Sequence, residues 1–242
     1  MFRLELTDTG NYLLRGLPDA LCAGVTGRKI NRTDYTAPDT EIRMSDKNLL
    51  SSITGIPAGR ILMLDQVHGD KILHVNEYPE GVRASEGFAD GMITALPGLC
   101  LVIRTADCVP VFLYDPVKKV IGAVHSGWKG TMLNITGKCI SMMADLYGSD
   151  PGNLLVLILP SIGPESYEVN SDVADHFPGD TVEINGRLHV DLWGSIEKSC
   201  ARSGVRPENI FNPEICNRIN TDDFFSHRYG DRGRNLNFIF MK

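Results

Sequence analysis

The sequence predicts one α+β domain, and three observations carry that expectation. Apolar strand-like runs alternate with a helical period through the middle of the chain, which gives that part an α/β texture. No internal repeat, low-complexity segment or linker rich in proline, glycine or serine divides residues 1–242. A chain of 242 residues with 43% hydrophobic content can bury a substantial core, and so much apolar surface sets it apart from a disordered chain.

The elements follow in order. The opening "MFRLELTDTGNYLLRG" alternates charged and apolar residues and lacks the apolar run and small-residue cleavage site of a signal peptide. Within the polar stretch 32–52, "SDKNLLSSI" predicts a short helix capped by Ser45. "RILMLDQVHGD" (60–70) is an apolar run ending in a turn signal and predicts a strand. "GLCLVIRTADCVPVFLYDP" and "KVIGAVH", rich in Val, Ile, Leu and Phe, predict further strands joined by the turn "DPVKK". Apolar or small residues at 132, 133, 136, 139, 140, 143, 146 and 147 recur with a helical period, and Gly148 is placed to end that helix. "NLLVLILPSIGP" returns to a buried strand. The longest uncharged run, residues 91–103, is shorter than the roughly 20 residues a spanning helix needs, so no membrane span is expected.

The turn sets an expected register. If Tyr114 faces Val120, then Pro110 lies near Val124 and Val109 near His125, which brings Cys108 and His125 together at the open end of the hairpin. Cysteine and histidine are side chains that zinc favours, and they are also the parts of a thiolate nucleophile and its base. His68, which ends its own strand-like run before a glycine, would supply a third ligand and leave one coordination position open. A metal site, a Cys-His nucleophile and a purely structural role all remain open on residue chemistry alone. Asp70 and Asp107 read as turn residues, and His74, His176 and His189 as ordinary ones.

A net charge of −6 disfavours nucleic acid and anionic membrane as partners and favours a small molecule. Six cysteines (Cys22, Cys100, Cys108, Cys139, Cys200, Cys216) without an export signal or a CxxC pair point to buried thiols and a cytoplasmic location. Six histidines with no HxH pair are too few for a blue-copper site together with a trinuclear copper cluster.

"DQVHGD", "TADCVPVFLYD", "AVHSGWKGT", "LPSIGPESYEV" and "FFSHRYGDRGR" occur in this order from about residue 60 to the C-terminus. Together they closely resemble the motifs of the YfiH-like family of purine nucleoside phosphorylases, also known as laccase-like polyphenol oxidases. The resemblance implies a layered α/β/β/α fold with mixed β-sheets, related to a group of cysteine hydrolases. It also implies zinc-dependent phosphorolysis of adenosine, inosine, guanosine and methylthioadenosine, with adenosine deaminase activity at the same site. The family's zinc ligands fall on His68, Cys108 and His125.

Arg228, Lys129 and Arg28 become the substrate candidates, with purine nucleosides and phosphate as the partners. The chain departs from the family in carrying "GVTGRKI" (24–30) where members have a "TRxGGVS"-like segment. His227 and Tyr229 depart from the C-terminal "FFSYRR" pattern, where Arg228 and Arg234 remain, and Asn217 replaces a threonine. The resemblance names no general acid or base. The alternatives are a hydrolase using Cys108 and His125, and a zinc-binding protein without catalysis.

Overall fold

The computed structural model describes residues 2–242. In chain order the strands are β1 (Arg3–Leu6), β2 (Tyr12–Arg15), β3 (Leu21–Val25), β4 (Ile61–Leu62), β5 (Ile72–His74), β6 (Gly91–Thr94), β7 (Cys100–Thr105) and β8 (Val109–Asp115). They continue as β9 (Val120–Ser126), β10 (Leu155–Ile158), β11 (Glu168–Val169), β12 (Thr181–Ile184), β13 (Arg187–Val190), β14 (Ile210–Phe211) and β15 (Asn235–Met241). The helices are α1 (Asp39–Thr54), α2 (Trp128–Met132), α3 (Ile135–Tyr147), α4 (Ser171–Ala174) and α5 (Leu192–Arg202). None of them is long and apolar enough to cross a membrane.

Two six-stranded sheets, β1-β2-β3-β15-β7-β4 and β14-β10-β8-β9-β6-β5, form the centre, and β11-β13-β12 is a small third sheet. Both large sheets are mixed, because β4 runs parallel to β7, β5 to β6 and β10 to β14. Successive side chains on a strand point to opposite faces, so each central strand feeds two cores. On β7, Leu101 and Ile103 meet Phe112, Tyr114 and Ile121 of the other sheet, while Cys100 and Val102 face Leu50 of α1. On β8, Val109, Val111 and Leu113 pack with Ile135, Cys139 and Ile140 of α3 and with Ile196 and Cys200 of α5. The order of layers is therefore α1, sheet, sheet, α3 with α5, which is the α/β/β/α arrangement expected.

Local structure departs from the sequence expectations in four places. The helix predicted to start at Ser45 begins at Asp39, after Pro38, and Ser45 lies within it. Proline just ahead of a helix has its φ preset and no N–H to satisfy. The run 60–70 makes a strand only at Ile61–Leu62 and then becomes a connection whose amides bind a carboxylate. The single helix predicted over 131–148 divides into α2 and α3 at Asn134, whose φ of 59° is left-handed, while Gly148 ends α3 as expected.

The β8–β9 register is the fourth departure. Val120 pairs with Asp115, Ile121 with Tyr114 and His125 with Pro110, one residue away from the predicted alignment. The reason is the turn: the Asp115 carboxylate accepts from the Val117 and Lys118 amides at 2.8 and 2.9 Å, closing a four-residue loop that ends with Lys119 at φ 56°. The shift matters chemically. With Val109 opposite His125, Cys108 would point to the other face. With Pro110 opposite His125, Cys108, two residues earlier, shares the face of His125.

Candidate metal centre

Between β7 and β8 the chain crosses from one sheet to the other through Ala106, Asp107 and Cys108. Cys108 thus heads β8, beside the end of β9 that carries His125. His68 arrives from the β4–β5 connection with φ 59°, and there Val67, His68 and Gly69 turn their amides onto the Asp90 carboxylate at 3.2, 2.9 and 2.7 Å. Asp90 directly precedes β6, the neighbour of β9. Its carbonyl accepts the His125 N–H at 2.7 Å and its Oδ1 accepts from His125 Nδ1 at 2.8 Å. One fully buried aspartate therefore places both histidines.

The carboxylate also selects a tautomer. An ionised Asp90 only accepts, so Nδ1 of His125 carries a proton and Nε2 is the nitrogen turned toward the cysteine. Cys108 Sγ lies 3.9 Å from His68 Nε2, and the two imidazole rings are 4.8 Å apart at 79°. The three donor atoms all lie within 4.8 Å of one another. Two imidazoles and a thiol form a donor set that suits zinc, and three protein ligands leave a position for substrate. Gly127 packs closely beneath the cluster: a Cβ there would stand 3.1 Å from Cys108 Sγ and 3.2 Å from His68 Cδ2 and would crowd both.

The thiol and the imidazole beside it are electrostatically coupled. Burial pushes the Cys108 thiol up, but His125 and His68 outweigh it and bring the thiol down to about 6. Burial pushes His125 down, yet Cys108 and Asp90 carry it up to about 9. For Asp90, burial is opposed by His125 and the loop amides, which hold the carboxyl below its usual range. The other five cysteines are free thiols, and burial raises Cys22, Cys100, Cys139 and Cys200.

All three donors line a cleft of about 590 Å³, together with Tyr35, Trp128, Tyr167, His227 and five arginines. Arg43 and Arg104 are balanced by Asp39, Asp65 and Asp46. Among the described residues Arg228, Arg232 and Arg234 form no ion pair with a carboxylate, so this wall keeps a net positive charge. Arg228 stacks over Tyr167 at 5.1 Å and donates from Nη1 to the Glu168 carbonyl at 2.7 Å.

The other candidates lie elsewhere. Arg28 does not line the cleft. It pairs with Asp231, donates to the Phe224 carbonyl at 3.1 Å and covers the Phe225 ring at 4.6 Å, so it supports the segment that carries the arginines. Lys129 is exposed beside Trp128, outside the cleft wall. Asp70 pairs with Lys138, His74 bonds Tyr147 at 2.7 Å, His176 stacks on Trp128, and His189 Nδ1 meets the Pro164 carbonyl at 3.0 Å. Asn217 is structural, donating to the Phe225 carbonyl at 2.8 Å. Asp90 and Tyr35 are site residues that sequence reasoning missed. An aspartate between an alanine and a glycine gives no local sign of the histidines it will hold.

Residues 27–242 match the family described as multi-copper polyphenol oxidoreductase laccase. The chain belongs to this family, the YfiH-like family. A Deinococcus radiodurans protein named purine nucleoside phosphorylase is 36% identical over 84% of this chain and 78% of its own length. The crystal structure of the hypothetical protein YfiH from Bacillus licheniformis superposes with a TM-score of 0.89 at 26% identity, covering 99% of both chains. That of YlmD from Geobacillus stearothermophilus gives 0.90 at 24% identity over the full length of both, a likeness of fold. This YfiH-like chain has six histidines, and its described residues form one three-donor group, too few donors for the several coppers in the family's description.

Proposed function

We propose that this protein is a zinc-dependent purine nucleoside phosphorylase acting on adenosine, inosine, guanosine and methylthioadenosine, and that it deaminates adenosine at the same site. The observation that carries the reading is one cleft uniting a His-Cys-His donor set with three arginines free of carboxylate partners and two aromatic walls. The names of the curated relatives supply the substrate class. His68, Cys108 and His125 would hold the zinc, which when bound would supply a Lewis acid and lower the pKa of water. Asp90 holds a proton on His125 Nδ1 and keeps the other ring nitrogen facing Cys108.

In phosphorolysis a phosphate oxygen bonds to C1′ of the ribose while the C1′–N bond breaks and its electron pair leaves with the purine, which then takes a proton. Arg228, Arg232 and Arg234 bind and orient the phosphate, and their charge is preorganised for it before substrate arrives. Trp128 and Tyr167 flank the base. Five free thiols besides the ligand suit a reducing compartment, and we place the activity in the cytoplasm.

A second reading has its own observation. Cys108, His125 and Asp90 are aligned as nucleophile, base and orienting carboxylate, the arrangement of a cysteine hydrolase. One assay separates the two. Zinc-loaded protein is incubated with adenosine or inosine, with and without phosphate, and the products are identified. Hypoxanthine with ribose 1-phosphate from inosine, only when phosphate is present, and inosine from adenosine are expected. Neither product from protein with full zinc would overturn the reading.

A further inference from the structure

We propose that Asp107 is a positioning residue for anion binding, its carboxylate fixing the place of Arg228 in the cleft. The inference rests on reading the arginine wall as the phosphate site. Asp107 is a non-glycine residue at φ 94°, a sparsely populated conformation, and only 7% of it is exposed. Its backbone is anchored, since the carbonyl accepts the Ile162 N–H at 2.9 Å. Its side chain does no local turn work. Oδ2 accepts the Arg228 N–H at 2.7 Å across 121 residues, and Oδ1 is buried without a partner. A buried carboxylate left half unsatisfied costs stability, so the one bond it makes identifies the role that retains it.

The acceptor is also needed at the other end. Arg228 lies in a short 3-10 turn, His227–Tyr229, in which the Ser226 hydroxyl accepts the Tyr229 N–H at 3.2 Å. The Arg228 N–H finds its partner only in Asp107. With its amide held there, its Nη1 on the Glu168 carbonyl and its guanidinium against Tyr167, Arg228 is fixed at both ends and spends little side-chain entropy on meeting an anion. Asp107 thereby ties the loop that supplies the thiol ligand to the loop that supplies the cation.

Two variants test this on the zinc-loaded protein, with inorganic phosphate titrated calorimetrically, KM for phosphate and for inosine measured separately, and zinc counted. Asp107→Gly keeps the left-handed backbone and removes the acceptor. Asp107→Asn keeps an oxygen for the Arg228 amide and removes the charge. The Gly variant should bind phosphate about tenfold more weakly, with KM for phosphate rising and KM for inosine unchanged, whereas the Asn variant should stay within about threefold of the parent. Parental phosphate affinity in Asp107→Gly, or equal losses in the two variants, would overturn the proposal. Zinc loss in Asp107→Gly would also overturn it, by showing that Asp107 serves Cys108 rather than Arg228. A parent protein that binds no phosphate would remove the cleft reading and this inference together.

Discussion

Replacing Asp90 by asparagine disturbs both histidines, because this side chain collects the amides around His68 and the imidazole of His125. The amide nitrogen would face donors where the carboxylate presented acceptors. Asp90→Asn is expected to weaken zinc binding about 10- to 100-fold, the usual cost of losing a ligand's hydrogen-bond partner. Competition with a chromogenic chelator measures it, and unchanged affinity would show that the loop and β9 hold the histidines without the carboxylate. Cys108 and His125 were legible in the sequence as neighbours because both fall at the open end of one hairpin. Asp90 was not, because its partners are 21 to 35 residues distant and meet it only once β6 pairs with β9. Arg28 misled for a related reason. Sequence shows a cation near a motif and cannot show that Asp231 has claimed it.

At the scale of elements, the break between α2 and α3 was hidden because the apolar period runs through it unbroken. Asn134 decides it: asparagine tolerates the left-handed conformation, and its Oδ1 accepts the Ser199 hydroxyl of α5. Gly137 leaves room for that side chain, since a Cβ there would fall 2.5 Å from Asn134 Nδ2. Asn134→Ala loses both the conformational tolerance and the bond, and a destabilisation of about 1–3 kcal/mol is expected by urea unfolding. A loss within error would mean that the break is imposed by packing alone. The register of β8 and β9 is a second case. The strands were legible, but the two bonds made by the Asp115 side chain set the loop length, and with it the face on which Cys108 sits.

For the whole molecule, the helix-on-sheet texture was legible, and the layering was implied by family resemblance rather than by pattern. Its central step is β15, the last strand, inserted between β3 and β7, a pairing across the length of the chain that local periodicity cannot reveal. The three apolar clusters exclude the metal ligands, with Phe112, Tyr114 and Phe238 fully buried away from them. Removing zinc should therefore leave the far-UV circular dichroism nearly unchanged while abolishing deamination. Unfolding on chelation would instead make the metal structural.

The measurement that bears most directly on zinc at His68, Cys108 and His125 is alkylation of Cys108, followed by peptide mass spectrometry and paired with turnover. A coordinated sulfur is shielded, so iodoacetamide should modify Cys108 slowly in the zinc-loaded protein and quickly after chelation, with turnover lost on chelation and restored by zinc. Rapid alkylation of the zinc-loaded protein, together with turnover that survives chelation, would contradict the zinc centre and make Cys108 the attacking thiolate.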